Sequence, residues 1–349
     1  MERGTEPLMQ SIAIETGYMP EAAGRYSISR DDALALEHLI DEELLGFDDL
    51  LSEQLSSDYE IVRQVMASAT ALNGKRLRPR LVLLGALACG RITPSTRRCA
   101  VVVEMIHAAT LIHDDVLDDA DTRRGAPTPH LTWGNRATIL LGDILVSKAY
   151  ILAAAGGTGF AADRVGQAGL ALCEGEMRQQ HTAGKWYLPV DEYVDILRQK
   201  TGELCATSSL LGAWSAGAND THMACLEEYG WKLGIAFQIF DDWLDVWGSA
   251  ALGKPIGNDV SNRKPTLPTL SLVQQTPPEQ QSKTIAALDA GELTDELRAA
   301  LDRSSASSVT LDTARHYAEA ACRALAPLPE SAAKQALIGV AQECVARIR

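Results

Sequence analysis

Residues 96–120 read TRRCAVVVEMIHAATLIHDDVLDDA, and this stretch contains neither glycine nor proline. From Cys99 to Ile112 the side chains are mostly apolar, so the segment suits a buried helix and is too long for a typical strand. Three carboxylates follow, at Asp114, Asp115 and Asp118. The stretch therefore predicts a long core helix whose carboxyl-terminal end carries a cluster of acidic side chains.

Helix-forming patterns recur along the rest of the chain. Aromatic residues make up only 5% of the sequence, and the apolar residues are mostly Ala and Leu, which favour helices over strands. Apolar residues recur at helical spacing in 31–55, 59–72, 77–90, 135–155, 162–184, 190–218, 221–248, 309–325 and 330–349. We predict an all-α fold, a large single-domain helical bundle over residues 29–349 that follows a mobile N-terminal arm, residues 1–28.

Charge and composition argue against several functional classes. The 349 residues include 32 Lys and Arg against 46 Asp and Glu, and the net charge of −14 disfavours binding to nucleic acid or anionic membranes. The seven cysteines are scattered without metal-binding spacing, as expected for reduced thiols. The N-terminus has no continuous apolar region, and the uncharged stretches 149–162 and 204–219 are too short or too polar for a membrane helix. We expect a soluble, cytoplasmic protein without a transmembrane segment.

The sequence FDDWLDVWG, residues 240–248, repeats the acidic spacing of the first stretch. Its aspartates, Asp241, Asp242 and Asp245, stand at i, i+1 and i+4 after an apolar run. Residues four apart share a helix face, so we expect each triplet to point its carboxylates into one small region. A solvent-facing acidic stripe would explain one such motif. Two copies behind apolar runs favour carboxylates that hold Mg²⁺, or Mn²⁺, on a phosphorylated substrate.

Basic residues occur in short groups next to the acidic motifs. They are Lys75, Arg76, Arg78 and Arg80 in GKRLRPR, Arg123 and Arg124 in DTRRG, Lys200 in KTGEL, and Lys254 and Lys264 in GKPIGNDVSNRKPTLP. Such side chains pair with phosphate oxygens, although a solvated basic turn would explain any one group alone. The chain has no glycine-rich loop of the nucleotide-binding type. His107 lies two helical turns before Asp114, on the same helix face. Taken alone, it would also fit a core histidine with satisfied hydrogen bonds.

The order of these motifs resembles that of the trans-isoprenyl diphosphate (polyprenyl) synthases, in particular the medium- and long-chain type. GKRLRP, MIHAATLIHDDVLDDADTRRG, KTGEL, FQIFDDWLDV and GKPIGNDVSNRKPTLP follow one another in that family's order, and the resemblance covers residues 50–349. It implies an all-α bundle of the isoprenoid synthase type around a deep central cavity, usually as a homodimer. It also implies Mg²⁺-dependent, head-to-tail condensation of isopentenyl diphosphate with an allylic diphosphate, such as farnesyl or geranylgeranyl diphosphate, and release of diphosphate.

The resemblance implies roles for individual residues as well. About three Mg²⁺ on the allylic diphosphate would be held by Asp114, Asp115, Asp118, Asp241, Asp242 and Asp245. The same diphosphate would be bound by Arg123, Lys200, Lys254 and Lys264. Isopentenyl diphosphate would be bound by Lys75, Arg78, His107 and Arg124. The place where the allylic carbocation forms would be lined by Thr201 and Gln238.

Three places depart from the family pattern. Asn73 replaces the first glycine of the usual GGKRLRP, so the turn there is expected to differ slightly. Arg263 stands where glycine is usual, and we expect it to add a cation near the diphosphates. Residues 181–190, HTAGKWYLPV, are specific to this chain. None of these changes removes a motif residue.

Product length is predicted from the residues one and two turns before Asp114, which are expected to line the path of the growing chain. In short-chain relatives a bulky aromatic residue four or five positions upstream blocks this path, whereas here those positions are Ala109 and Thr110. We therefore expect an all-trans product of about C30–C50. Residues deeper in the channel, such as Ile106, could stop the chain earlier, so a C20 geranylgeranyl diphosphate synthase is the alternative.

Three other functions are less consistent with the motifs. A terpene cyclase or squalene-type synthase also carries acidic motifs on a helical bundle, but cyclases typically have an Asn/Ser/Glu motif in place of the second triplet and lack GKRLRP. An inactive partner subunit of a heteromeric prenyl synthase would be expected to lose motif aspartates, and all six are present. An acidic helical bundle without an active site would not explain two aspartate motifs next to basic groups.

Overall fold

A computed structural model describes residues 30–67, 74, 76–123, 125–248 and 256–346. The predicted arm, residues 1–28, lies outside the described residues. The same is true of Asn73, Lys75, Arg124 and Lys254. The expectations for these residues therefore stay predictions.

The described residues are helical almost throughout, which confirms the predicted all-α fold class. The helices are α1 (Arg30–Gln54), α2 (Glu60–Met66), α3 (Leu77–Cys89), α4 (Pro94–Leu117), α5 (Pro129–Ala154), α6 (Phe160–His181), α7 (Val190–Leu197), α8 (Glu203–Ser215), α9 (Asp220–Trp247), α10 (Asn258–Ser261), α11 (Leu267–Gln275), α12 (Pro278–Asp289), α13 (Asp295–Arg303), α14 (Ala306–Ala324) and α15 (Ala332–Glu343). A single π-helical turn, Arg198–Gly202, joins α7 to α8 and is called the π-turn below. Two short antiparallel strands, β1 (Thr122–Arg123) and β2 (Ala126–Pro127), follow α4.

The acidic stretch quoted first forms α4, a central helix of the bundle. Thr93 and Thr96 cap its start reciprocally, because each side-chain oxygen accepts the backbone N–H of the other residue, and Pro94 occupies the first helical position. Apolar residues such as Val103 and Met105 are buried in one cluster with residues of α3, α5 and α8. This burial fixes α4 along its length and therefore fixes the acidic residues at its end.

The second acidic motif ends α9, which packs between α8 and α14. Glycines allow the backbones of neighbouring helices to approach closely. A Cβ added at Gly230 would lie 2.4 Å from Cα of Ala206, and one added at Gly212 would lie 2.3 Å from the carbonyl oxygen of Val82. Helices α3, α8 and α9 are therefore locked together backbone against backbone, which leaves little freedom in the position of the second motif.

Two regions differ from the sequence prediction. The segment 190–218, predicted as one helix, is divided into α7, the π-turn and α8. Residues 258–303, for which no helix is predicted, contain the short helices α10 to α13. Short helices show few repeats of the apolar spacing, so periodicity alone does not reveal them.

Candidate active site

A cavity of about 1260 Å³ lies between α3, α4, α6, α9, α15 and the π-turn. The polar side chains on its wall include Arg78, His107, Thr110, Asp114, Glu176, Lys200, Thr201, Gln238 and Asp241. The apolar side chains on its wall include Leu77, Leu111, Leu172, Leu233, Phe237, Leu244 and Val340. One cavity thus brings together residues from both acidic motifs, from KTGEL and from GKRLRPR.

The two acidic motifs do not turn all their carboxylates toward the cavity. Asp114 and Asp241, the first aspartate of each motif, line it, whereas Asp115 and Asp242 are not on its wall and are only 0% and 1% exposed. Successive helical residues point about 100° apart. Of the six motif aspartates, Asp114 and Asp241 lie on the cavity wall, and the metal-binding role of the other four stays a prediction.

Each buried second aspartate is paired with a predicted diphosphate-binding cation. Arg123 Nε donates a hydrogen bond to Asp115 Oδ1 at 2.7 Å, and Lys264 Nζ donates to Asp242 Oδ1 at 3.3 Å. Neither cation is part of the cavity wall. The two motifs therefore share one arrangement, in which the first aspartate faces the cavity and the second holds a cation beside it.

The carboxylates at the end of α4 lie close together and partly away from water. Burial raises the pKa of Asp114 to about 6, and the positive charge of Lys200 offsets only part of this rise. Burial also raises the pKa of Asp118, which ends α4 and has Lys200 and Glu176 as neighbours. The negative charge of these groups is incompletely compensated, so a cation bound here would stabilise their ionised form.

The donor set fits a divalent cation that binds together with its substrate. Asp114 and Asp241 offer carboxylate oxygens on the cavity wall. Within the described part of the chain, no three His, Cys, Asp or Glu side chains form a closed metal site. Mg²⁺ typically uses one or two carboxylates and completes its shell with waters and substrate phosphates. The residues present therefore fit Mg²⁺ or Mn²⁺ and do not resemble a structural zinc site.

Asp242 is the centre of a hydrogen-bond network behind the cavity wall. Tyr193 Oη donates to Asp242 Oδ2 at 2.7 Å, and Gln238 Nε2 donates to Asp242 Oδ1 at 3.0 Å, beside Lys264. Thr201 Oγ1 donates in turn to Gln238 Oε1 at 3.1 Å. The network fixes the orientation of the Thr201 and Gln238 oxygens, which lie on the cavity wall.

Asp245 holds the loop that carries Lys264. Its two carboxylate oxygens accept the backbone N–H groups of Asn258 and Asp259 at 3.1 and 3.0 Å. Asp259 Oδ1 accepts a hydrogen bond from Lys264 Nζ at 3.2 Å. Burial acts to lower the pKa of Lys264, but Asp242 and Asp259 outweigh it and raise that pKa, so the ammonium group stays charged. Asp245 therefore acts on the loop, and its carboxylate is not on the cavity wall.

The π-turn presents two successive residues, Lys200 and Thr201, to the cavity. Single π-helical turns inside α-helices are frequent at functional sites. Lys200 Nζ forms an ion pair with Glu176 of α6. At Gly175 an added Cβ would lie 2.9 Å from the backbone nitrogen of Lys200. Helix α6 therefore packs directly on the π-turn and determines where the Lys200 ammonium group lies.

The basic group GKRLRPR places Arg76, Arg78 and Arg80 on the cavity wall, and two of them are also paired with carboxylates of the protein. Arg76 Nη1 donates to Glu104 at 2.9 Å, and Arg80 Nη2 donates to Asp41 at 3.2 Å. Arg78 lines the cavity, and its buried Nε has no hydrogen-bond partner in the part of the chain that the structure describes. An unpaired guanidinium nitrogen on a cavity wall is suited to an anionic ligand.

The predicted chain-length residues do not all face the cavity. Thr110 lies on its wall, but Ala109 and Ile106 are buried in the core cluster of α4 and are not on the wall. On α4 the cavity face carries His107, Thr110 and Asp114, at the i, i+3 and i+7 positions of one helix face. Thr110 is therefore the one of the three that lies on the cavity wall, and the role of Ala109 and Ile106 in product length stays a prediction.

Arg263 also differs from its prediction. Its Nη2 donates to Asp289 Oδ1 at 2.5 Å on the protein surface, and it does not line the cavity. It therefore adds no cation to the cavity wall.

Three residues of the site are not among those predicted from the sequence. Asp259 stands five positions before Lys264, in the basic motif GKPIGNDVSNRK. An acidic residue so near a lysine could have indicated an ion pair within the motif. Glu176 and Tyr193 belong to ordinary amphipathic helices, and their sequence context gives no signal. They reach the site only because α6 packs on the π-turn and α7 packs on α9.

We predict that Tyr193→Phe lowers kcat/KM about tenfold, because a buried acceptor that loses its donor costs about 1–3 kcal/mol. Burial and the neighbouring Asp242 carboxylate raise the pKa of Tyr193, so the phenol remains a neutral donor. Tyr187→Phe is the matched control, because Tyr187 is 65% exposed and bonds Gln281 on the surface. Steady-state kinetics of both variants test this, and equal kinetics would contradict it.

The fold is an all-helical bundle, and its cavity is lined by aspartates of two helices and by cations. This combination defines the isoprenoid synthase class of enzymes. A family model described as "Polyprenyl synthetase" matches residues 59–303. The chain is 31% identical over 318 residues to the octaprenyl diphosphate synthase of Escherichia coli (strain K12), which covers 90% of this chain and 98% of that protein. The chain belongs to the polyprenyl synthetase family and is therefore a prenyltransferase.

Solved structures agree with this assignment. A decaprenyl diphosphate synthase from Rhodobacter capsulatus superposes with a TM-score of 0.85 at 31% identity, over 91% of this chain and 99% of that one. A polyprenyl synthase from Caulobacter crescentus CB15, complexed with calcium and isoprenyl diphosphate, gives a TM-score of 0.83 at 34% identity, over 93% of this chain and 100% of that one. The isoprenoid synthase fold expected from the motifs is thereby confirmed.

Proposed function

We propose that the protein condenses isopentenyl diphosphate head-to-tail with an allylic diphosphate, farnesyl or geranylgeranyl diphosphate, and releases diphosphate. The product is an all-trans polyprenyl diphosphate of about C30–C50. The observation that carries the proposal is the cavity, which combines Asp114 and Asp241, the cations Lys200 and Arg78, and a largely apolar wall. The octaprenyl and decaprenyl synthases among the similar proteins support a long product.

The allylic diphosphate binds between the two acidic motifs in this proposal. Asp114, Asp118 and Asp241 would hold Mg²⁺, about three ions in all, and the calcium in the Caulobacter crescentus structure supports a divalent cation. When bound, the metal supplies positive charge to the oxygens of the leaving diphosphate. Lys200 adds a fixed positive charge on the cavity wall. Arg78 and His107, also on the wall, bind isopentenyl diphosphate.

The chain's own groups determine what happens at the reacting carbons. The allylic C–O bond breaks, and Lys200 stabilises the negative charge that develops on the departing oxygen. The oxygens of Thr201 and Gln238 face the positive carbon, held in place through Asp242. A new bond forms from that carbon to C4 of isopentenyl diphosphate, and the released diphosphate takes the proton lost from C2. Apolar side chains such as Phe237 exclude water that would trap the cation.

The test is turnover by the purified protein with Mg²⁺, isopentenyl diphosphate and allylic primers of different lengths. We expect release of diphosphate and an all-trans product that chromatography places at about C30–C50. Absence of turnover with every primer from dimethylallyl to geranylgeranyl diphosphate would refute the proposed reaction. A product that stops at C20 would refute the proposed length alone.

We predict that Thr110→Phe shortens the product, because Thr110 lies on the cavity wall one turn before Asp114 and a phenyl ring there would fill the path of the chain. Thr110→Val is the control, since it keeps the size of the side chain and should leave the product length unchanged. Ala109→Phe is not an equivalent test, because Ala109 is buried in the core and a ring there would overpack it. Product chromatography of both Thr110 variants tests the prediction. If Thr110→Phe and Thr110→Val give products of the same length, the growing chain does not pass Thr110.

We further propose a soluble, cytoplasmic homodimer that assembles through α5 and α6. In the described part of the chain, α5 is long and apolar enough to cross a membrane by length and composition alone. Its exposed apolar residues include Leu140 and Ile151, and α6 adds Leu170. Exposed apolar patches of this kind mark interaction sites, and a second copy of the chain would cover them symmetrically.

Leu140→Glu is predicted to shift the protein toward the monomer, because a carboxylate would be buried in the proposed subunit interface. Leu45→Glu is the matched control, because Leu45 is exposed on α1, away from that interface. Sedimentation velocity at several protein concentrations measures the change. If both variants sediment like the unchanged protein, the proposed interface is wrong.

A further inference from the structure

The segment 182–188, which follows α6, is tied to the residue before Lys264. The backbone N–H of Gly184 donates to the carbonyl oxygen of Arg263 at 2.8 Å. The Arg263 side chain donates to Asp289 Oδ1 at 2.5 Å, and Trp186 Nε1 donates to the same oxygen at 3.0 Å. We call Gly184, Trp186, Arg263 and Asp289 the brace.

The parts of the brace fit one another closely. Trp186 is only 2% exposed and packs in a core cluster with Val260 and Leu288, so one end of the brace is fixed. Gly184 has a φ of +74°, and a Cβ added there would lie 2.9 Å from Arg263 Nη2. A side chain at position 184 would therefore meet the guanidinium group of Arg263.

Arg263 adopts a backbone conformation that L residues rarely adopt, with a φ of 51°. A left-handed conformation costs a non-glycine residue about 1 kcal/mol, so other contacts must hold it. Those contacts are the hydrogen bond from the Arg263 N–H to the carbonyl oxygen of Val260 at 2.9 Å, the hydrogen bond from Gly184 and the ion pair with Asp289. The brace therefore stabilises a strained backbone at the position directly before Lys264.

Lys264 depends on that backbone for its position. Its own N–H donates to the carbonyl oxygen of Asp259 at 2.8 Å, and its Nζ lies between the carboxylates of Asp242 and Asp259. A change in the backbone at Arg263 would move Lys264 relative to both carboxylates. Since Asp242 also holds Gln238, such a change would reach the cavity wall.

We infer that Arg263 and Asp289, with segment 182–188, are positioning residues that set the place of Lys264 for the allylic diphosphate. Arg263 thus takes part through a surface ion pair and not through contact with substrate. The role for the diphosphate rests on the proposed function, whereas the coupling of the brace to the Lys264 loop does not.

Two variants separate the ion pair from the fold. Arg263→Gln removes the guanidinium charge but keeps the cost of the positive φ, and Asp289→Asn removes the charge but keeps an acceptor for Trp186. We expect each to raise KM for the allylic diphosphate about three- to fivefold, the range an exposed ion pair can supply, with kcat and KM for isopentenyl diphosphate within about twofold. The exchange variant, Arg263→Asp with Asp289→Arg, should restore part of the loss. Arg315→Ala, which breaks an exposed pair with Asp312 on α14, is the control and should change nothing.

A second readout does not depend on activity. Hydrogen–deuterium exchange of the free protein should be faster in residues 256–266 of both variants than in the unchanged protein, and unchanged in Arg315→Ala. If residues 256–266 of both variants exchange at the same rate as in the unchanged protein, the proposed coupling of the brace to the Lys264 loop is wrong. Faster exchange with an unaltered KM for the allylic diphosphate would overturn its role in positioning Lys264 for substrate. If the unchanged protein has no prenyltransferase activity but the exchange responds as expected, the proposed function fails and the brace stands.

Discussion

Replacing Asp114 or Asp241 by Asn is expected to lower kcat/KM by about 10³-fold, a loss comparable to that of other groups that stabilise developing charge. Both carboxylates line the cavity, and asparagine keeps their size but removes the negative charge that would hold Mg²⁺ on the diphosphate. Burial raises the pKa of Asp114 to about 6, so a bound cation would favour its charged form. Diphosphate release measured across a range of Mg²⁺ concentrations tests the prediction.

Asp119→Asn is the matched control for these two variants. Asp119 is exposed just beyond α4 and has a φ of 48°, a conformation that asparagine accepts readily. We expect unchanged kinetics in this control and a melting temperature close to normal in all three variants. If Asp114→Asn kept more than about a tenth of the activity at saturating Mg²⁺, metal binding by the first motif would have to be abandoned.

The long helices and the acidic motifs could be predicted because their signals are local. The apolar run before Asp114 is long enough for only one regular structure, and α4 has the expected cap at Thr93 and Pro94. The residues that the motifs bring to one cavity, such as Lys200 and Arg78, follow from the family resemblance and lie on its wall. Sequence therefore located the site and most of its chemistry.

The direction of individual side chains could not be predicted in the same way. Whether Ala109 or Thr110 faces the cavity depends on the rotation of α4 about its axis, which is set by packing against α3, α5 and α8. Tyr193 lies 49 positions from Asp242 and meets it only in the folded protein. The direction of Arg263 depends on a surface partner, Asp289, that no motif contains. Each of these outcomes is set by tertiary packing and not by local sequence.

The close approach of α9 to the π-turn gives the second large expected effect. A Cβ added at Gly234 would lie 2.6 Å from Cα of Gly202 and 3.0 Å from the carbonyl oxygen of Thr201, and both of these atoms belong to the backbone of the π-turn. Backbone atoms cannot rotate away as a side chain can. Gly234→Ala must therefore push the π-turn and α9 apart, which moves Lys200 and Thr201 relative to Gln238 and Asp241.

We expect Gly234→Ala to lower kcat/KM about 10²-fold, the loss associated with a displacement of about 1 Å in an active site. Overpacking should also lower the free energy of unfolding by about 1–3 kcal/mol. Gly339→Ala on α15 is the control, because a Cβ there meets nothing within 4 Å and alanine favours a helix by about 0.5–1 kcal/mol. The two variants should thus change stability in opposite directions in a urea titration, and only Gly234→Ala should lose activity. A Gly234→Ala enzyme with normal kinetics would show that the π-turn does not set the position of Lys200.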